Sequence, residues 1–280
     1  MSIQLIADSG STKAAWCLLD GKKKKKIVTQ GISPYFLSAL QIQEILEKEL
    51  LPALKGIQPD TIHYYGTGCS NPANIKTVKQ ALKKIFPITK INVDHDLMGA
   101  AKALCGDEKG VACILGTGSN SCYYNGKKIV NNSPGLGFIL GDEGSGAYLG
   151  KKVIQYYMYK TFDPELMDRF NDKYNTNAVE ILDAVYKQPM ANRYLANFTE
   201  FLVENRGHFM IENIIEDSLN DFFFTHICKY RESWTLPIHF IGSVAYGFKD
   251  IVKEMCHSYE LQLGKVLQQP MDGLIKYHGE

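Results

Sequence analysis

No apolar run in the 280 residues approaches the roughly 18 needed to cross a bilayer as a helix. Charge of one sign is also lacking. The 31 Lys and Arg balance 30 Asp and Glu, and a net charge of +1 gives no basis for a nucleic-acid or acidic-membrane partner. The opening residues 1–10 lack the basic start and long apolar stretch of a signal peptide, so a cytoplasmic protein is expected. Paired cysteines are missing too. Cys17, Cys69, Cys105, Cys113, Cys122, Cys228 and Cys256 contain no C-x-x-C and are odd in number. They read as reduced core thiols, not as disulfide, zinc or iron–sulfur ligands. Disorder is excluded by 45% hydrophobic against 22% charged residues, enough for the core of one large or two small domains.

The common nucleotide and metal fingerprints are absent as well. There is no G-x-x-x-x-G-K-[ST], hence no P-loop. Gly116-Thr117-Gly118, Gly135-x-Gly137 and Gly144-x-Gly146 all lack the third glycine of a dinucleotide-binding turn. No H-E-x-x-H occurs, and the seven histidines are scattered.

What the chain does contain is a strand–turn–strand pattern that occurs twice. Ile3–Ala7 and Ala14–Leu19 read as strands around the polar turn 8–13, and Asp20-Gly21 is a hairpin signal before a strand at Ile27–Gln30. The Lys22–Lys26 run reads as a solvated hairpin tip. A helix at Ala39–Leu54 carries Ile42, Ile45, Leu46, Leu50 and Leu54 on one stripe. Strands at Ile62–Tyr65 and Ile91–Val93 and helices at Asn74–Ile85 and Leu97–Leu104 complete a βββαβαβα order, which predicts a mixed sheet covered by helices. The opening pattern then returns. Val111–Leu115, the turn 116–120, Ser121–Tyr124 and the Asn125-Gly126 hairpin signal repeat it, pairing Gly10 with Gly118 and Ser11 with Ser119 at an offset of 108. This predicts an internal duplication and two lobes, 1–105 and 106–280. The second carries a helical insertion, and the last short segment packs back on the first. Gly144–Lys160 and much of 165–232 read as helices, Ile238–Ile241 as a late strand, and Phe248–Gln262 as a helix.

Turns of Gly, Ser and Thr let backbone N–H groups and short hydroxyls approach phosphate oxygens closely. Lys13 adds a positive charge beside the first turn, and Asp8 is placed to hold hydrated Mg²⁺. Gly141-Asp142-Glu143-Gly144-Ser145-Gly146 sets two carboxylates between glycines just before a helix. The pair reads as a metal or substrate contact, or one of the two as a helix cap. Gly242-Ser243 ends a strand and reads as an adenosine shelf or as a plain βα turn.

These motifs resemble, in order, those of the BadF/BadG/BcrA/BcrD ATPase family, in its N-acetylglucosamine kinase-like branch within the actin/hexokinase/Hsp70 superfamily. The residues that carry the resemblance are Asp8-Ser9-Gly10-Ser11-Thr12-Lys13, Gly116–Asn120, Leu140–Ser145 and Gly242–Ala245. It implies an α/β fold of two RNase H-like (actin-like ATPase) lobes with mixed five-stranded sheets and a nucleotide cleft between them. It also implies ATP and Mg²⁺. ATP is expected on Gly10, Ser11, Thr12, Lys13, Gly116, Thr117, Gly118, Ser119, Gly242 and Ser243. The metal is expected at Asp8 and Glu143, through water. The family's sugar kinases place a catalytic Asp at a helix start before the second phosphate turn. Asp96 fits that position and Asp94 is its neighbour. Asp96, Gly135, Gly137 and Asp142 are the expected substrate contacts. The sugar side departs from the branch: Ser33-Pro34-Tyr35-Phe36 lacks an Asn before the aromatic residue, and Leu136 stands where the branch has Trp. The activity implied is transfer of the γ-phosphate of ATP to a hydroxyl of an amino sugar or related hexose. An ATPase activating a partner enzyme and a non-catalytic sugar or nucleotide sensor are the alternatives. The partner expected is a small sugar, with a homodimer left open.

Overall fold

Strand pairing in the computed structural model, which describes residues 2–10 and 12–279, gives two five-stranded sheets of one topology. The first holds β1 (Gln4–Ser9), β2 (Lys13–Asp20), β3 (Lys23–Gln30), β4 (Thr61–Gly66) and β5 (Lys90–His95) in the order β3-β2-β1-β4-β5. The second holds β6 (Lys109–Leu115), β7 (Ser119–Asn125), β8 (Ile129–Ser133), β9 (Ile238–Ile241) and β10 (Leu263–Leu267) in the order β8-β7-β6-β9-β10. In each, the first three strands pair antiparallel and the last two add on parallel. Two compact units result. Unit 1 is Met1–Glu108, Gly126–Lys128 and Gln269–Glu280; unit 2 is Lys109–Asn125 and Ile129–Gln268.

In unit 1, alternation sends Leu5 and Ala7 to a core with Trp16, Tyr64 and the stripe Ile42, Leu46, Leu50 and Leu54. That stripe lies on one continuous helical stretch, 39–54, with a π turn at Leu46–Leu50. Pro52 lacks an amide N–H, and the wider turn falls just before it. The opposite face of the sheet carries Asp8, His63 and Tyr65. Helix Met271–Gly279 covers it, with His278 stacked on His63 and bonded to the Tyr65 hydroxyl at 2.9 Å. The lysine run differs from expectation: Lys23–Lys26 form the first half of edge strand β3, not the hairpin tip. An edge strand tolerates a lysine row because its side chains reach water and its outer backbone edge must be kept unpaired.

In unit 2, Val111, Cys113 and Leu115 of β6 pack beneath helices Gly146–Met158, Pro164–Tyr174 and Phe209–Thr225. The helical segment between β8 and β9 is the main addition to the shared plan. Helix Lys249–Ser258 is shorter than predicted, because the chain turns into β10 at Leu263. Six of the seven cysteines are buried, with Cys228 half-buried. No helix among the described residues is long and apolar enough to cross a membrane.

Strand register corrects the internal alignment. The last β1–β2 pair is Ser9 with Ala14, and the last β6–β7 pair is Leu115 with Ser119. The Gly10 amide donates to Lys13 O at 3.0 Å, and the Gly116 amide to Gly118 O at 3.0 Å. Gly10 therefore corresponds to Gly116, not Gly118, and the second turn is one residue shorter. By the same register Gly66, partner of Ser9, corresponds to Gly242, which follows the Ile114–Ile241 pair.

Candidate active site

Unit 1 gathers carboxylates at the carboxyl ends of its strands. Asp8 pairs with Tyr65 and Tyr65 with Asp94, so the three share one row and one face. His95, one residue on, belongs to the other face, although its amide donates back to Asp94 Oδ1 at 2.9 Å. Asp96 is the first residue of helix Asp96–Cys105. The Leu97 amide donates to Asp96 Oδ1 at 2.9 Å, and the Thr67 side chain hydrogen-bonds the same carboxylate. Thr67 is itself fixed, its amide donating to Ser9 O at 2.9 Å. Burial pushes the Asp96 carboxyl above its ordinary range, against the pull of His95 and these hydrogen bonds. Burial, then the negative charge of Asp96, push Asp8 up to about 7, with Lys13 opposing. A half-buried, mutually repelling pair of acids is a costly arrangement, which makes Asp8 and Asp96 candidate functional residues.

The first turn stays open to solvent at Gly10, Thr12 and Lys13. The Thr12 carbonyl is tied down by the Gly31 amide at 3.0 Å. Ser11, expected among the phosphate contacts, lies outside the described residues.

Unit 2 builds a different device. The amides of Gly146 and Ala147, at the start of helix Gly146–Met158, donate to Gly116 O and Thr117 O at 2.8 and 3.0 Å. Those carbonyls are thereby turned onto the helix start. Ser145 caps the helix, its side chain accepting from the Tyr148 amide at 3.2 Å. Neither Asp142 nor Glu143 is the cap. Asp142 instead adopts φ 58°, which folds its carboxylate back on the glycine turn. Its Oδ1 accepts from the Ser119 amide at 3.4 Å, and a Cβ on Gly118 would sit 3.0 Å from its Oδ2. Burial raises the Asp142 carboxyl, opposed by the Ser119 amide. The Ser119 hydroxyl is buried with no hydrogen-bond partner, a donor left over beside the turn.

Gly242 must be glycine: its φ is 127°, and a Cβ there would lie 2.1 Å from Leu115 O. Ser243 begins the short helix Ser243–Gly247 directly after it. Gly135 lies over β7, a Cβ on it falling 3.6 Å from Ser119 O, whereas Gly137 opens a short helix, Gly137–Leu140, with nothing near it.

A sequence profile of the BadF/BadG/BcrA/BcrD ATPase family matches residues 7–211, which include both turns, Asp96 and the acidic turn. The chain belongs to this family. It is 39% identical to a provisionally named N-acetylglucosamine kinase from Porphyromonas gingivalis, with 98% of each chain covered and a TM-score of 0.94. A second provisionally named N-acetylglucosamine kinase, from Chromobacterium violaceum, shares the fold at 15% identity, 99% coverage of each chain and TM-score 0.78. So does a ROK family glucokinase from Streptomyces griseus solved with glucose and AMPPNP, at 15% identity, coverage of 98% of this chain and 97% of that one, and TM-score 0.57. The fold is thus the actin-like ATPase fold. No curated protein sequence matches the chain.

Two residues that sequence reasoning did not single out contact candidate acids, Thr67 in unit 1 and His226 in unit 2. Thr67 had a weak signal, since Gly66-Thr67-Gly68 is one more small-residue turn at a strand end. His226 had none. Its Nε2 lies 3.2 Å from Glu143 Oε2, across 83 residues of sequence.

Proposed function

We propose that this family member is an ATP-dependent sugar kinase. It transfers the γ-phosphate of ATP to a hydroxyl of an amino sugar or a related hexose. The observation that carries the reading is Asp96: a partly buried carboxylate at a helix start, fixed by Leu97 and Thr67, in a chain 39% identical to a provisionally named N-acetylglucosamine kinase.

In the reaction the substrate hydroxyl oxygen attacks the γ-phosphorus and the bond from that phosphorus to the β-bridging oxygen breaks. ADP leaves with that electron pair, and the hydroxyl proton passes to Asp96. The raised affinity of Asp96 for a proton suits a general base, and its hydrogen bonds to Leu97 and Thr67 hold the carboxylate in place. Little covalent chemistry remains, so positioning and charge neutralisation dominate. The Gly116–Ser119 turn offers phosphate oxygens the unpartnered Ser119 hydroxyl and close backbone approach at its glycines, its Gly116 and Ser119 amides being engaged at Gly118 O and Asp142. From the first turn Lys13 offers its ammonium, Thr12 its hydroxyl and Gly10 an open backbone. Gly242 and Ser243 form the floor for the adenosine.

Mg²⁺ fits the residues at Asp8. The Asp8 and Asp96 carboxylates repel each other, and Lys13 is the one cation that lowers the Asp8 carboxyl. Asp8 would hold the ion through water, where it would supply positive charge to neutralise the transferring phosphate. Glu143, the other residue expected there, gives one oxygen to His226. Gly135 and Asp142 line the sugar side in this reading.

The test is ADP release over hexoses, N-acetylhexosamines, muramic acid derivatives and glucosamine. Release stimulated at least tenfold by one sugar class over the no-sugar rate supports the kinase. A rate indifferent to every sugar overturns it.

A further inference from the structure

We propose that His226 is a positioning residue for phosphate transfer, acting through Glu143. The inference rests on the kinase reading. His226 follows helix Phe209–Thr225, and only 2% of its surface is exposed. Its Nε2 lies 3.2 Å from Glu143 Oε2, while its Nδ1 is buried with no hydrogen-bond partner. A tautomer without a proton on Nε2 would set a bare nitrogen lone pair against a carboxylate, which is costly. Nε2 is therefore the donor, its N–H directed at Glu143.

The surroundings fix the ring and the acid together. His226 stacks on Phe222 with centroids 4.8 Å apart. The same Phe222 closes over Gly144, where a Cβ would lie 2.8 Å from its Cβ. Four residues on, Tyr230 anchors the segment a second time. Its hydroxyl lies 2.9 Å from Ser121 Oγ and accepts from the Ser133 amide at 2.7 Å. The segment 226–230 therefore reaches both the acidic turn and β7, the strand that follows the glycine turn, together with its neighbour β8.

The consequence is a division of labour between adjacent acids. Asp142 and Glu143 repel each other, and Asp142 must lean on the Ser119 amide. His226 holds Glu143 by one oxygen and so fixes where that charge sits beside Asp142. Without the donor, Glu143 is free to swing and Asp142 loses its fixed place against the turn. A buried histidine serving only to fill space would make no use of the hydrogen bond.

The experiment compares His226→Phe, which keeps an aromatic ring on Phe222, with His226→Gln, which keeps an N–H near the position of Nε2. Both are made in the wild-type and Glu143→Gln backgrounds. We expect His226→Phe to lower kcat by roughly 10–100-fold, the usual cost of losing a partner that orients a working group. The KM for ATP should move less than threefold and His226→Gln should recover most of the loss. In the Glu143→Gln background the further loss from His226→Phe should be under threefold. Equal losses in His226→Phe and His226→Gln, or an undiminished effect without the Glu143 carboxylate, overturn the proposal. If the wild type phosphorylates no sugar, the kinase reading falls. The pair is then judged by ATP hydrolysis in the same variants, where recovery by His226→Gln still supports it and equal rates overturn it. Long-range ¹H–¹⁵N spectra of the unmodified protein give a readout that needs no turnover. An Nε2–H tautomer for His226 supports the proposal, and an Nδ1–H tautomer contradicts it.

Discussion

Asp8, Tyr65 and Asp94 form a row across unit 1, and Ile114, Ile241 and Leu267 form the same row across unit 2. The strand order is shared, the pairing directions are shared, and the residue after β1 and after β6 is a glycine in both. Yet one row carries two carboxylates and a tyrosine while the other is aliphatic. The turns that follow differ in the same spirit. In unit 1 the turn ends in a lysine and is braced by one amide, from Gly31. In unit 2 it is a residue shorter and braced by the first two amides of a 13-residue helix. A duplicated scaffold thus keeps its backbone and divides its chemistry. One copy holds ionisable groups at the ends of its strands, and the other holds a short glycine turn whose carbonyls are tied to a helix start.

The largest expected effect concerns the acids of unit 1. Asp96→Asn keeps shape and hydrogen-bonding reach but removes basicity. It should lower kcat by about 10²–10⁴-fold with ATP affinity nearly unchanged. Asp94→Asn, in the same row as Asp8, should change kcat by less than about tenfold. Steady-state rates of the two variants separate these roles, and the reverse order would move the base to Asp94.

Next come the equivalent glycines. Gly242→Ala forces a Cβ to 2.1 Å from a backbone carbonyl at φ 127°. It should cost roughly 3 kcal/mol or more in denaturant unfolding. Gly66→Ala meets the Tyr64 ring at 2.5 Å without positive φ. It should cost about 1–2 kcal/mol, because a side chain can shift where a strand cannot. Equal costs would mean that the same constraint acts at both positions and would remove the contrast.

The third test strikes the unit 2 cradle. Gly118→Val pushes against Asp142 Oδ2, already 3.0 Å from a Cβ at that site. ATP affinity measured by calorimetry should fall about 100-fold, the equivalent of about 2.7 kcal/mol. Unchanged affinity in a folded variant would remove the turn from the nucleotide site.

The smallest effect is a difference of sign. Burial and Asp96 raise the Asp8 carboxyl to about 7 from 3.8, so the folded state keeps a proton that the unfolded chain has lost. Between about pH 4 and pH 7 the folded state binds more protons. Stability from this group therefore falls as pH rises through that window and stays low above it. Asp8→Asn should stabilise the ligand-free protein by about 2 kcal/mol at pH 8 and by almost nothing at pH 4. Its equivalent, Ile114→Asn, should destabilise by about 1–2 kcal/mol at both, since it trades apolar packing for an unpaired amide. Thermal unfolding of both variants at the two pH values reads the contrast.

Much of this architecture is legible in the sequence because local signals and tertiary demands agree. The glycine turns stand at strand ends, and the 39–54 stripe faces the core that its period implies. Legibility fails where a tertiary contact overrides a local rule. The lysines of β3 read as a tip because Lys is a poor strand former, but an exposed edge accepts them. β10, Leu263–Leu267, lies just beyond the helix predicted over Phe248–Gln262 and has no sequence reading of its own. Gly264, a strand breaker by composition, is there because a Cβ would meet His239 Nδ1 at 2.3 Å. The Lys265 amide donates to that same nitrogen at 2.9 Å. The repeat offset failed because identical letters, Gly-Ser against Gly-Ser, outweighed a one-residue deletion that only strand register reveals. In the candidate site the acids and glycines carried their own signals. His226 carried none, because its meaning is a contact 83 residues away.

The most direct measurement follows the phosphate itself. The protein is incubated with γ-labelled ATP, Mg²⁺ and the sugar that most stimulates ADP release, and the label is apportioned between sugar and free phosphate. The account predicts one labelled phosphate on the sugar for each ADP formed, and almost none released. Label recovered as free phosphate, at a rate unaffected by the sugar, would contradict it and make the protein an ATPase that serves some other partner.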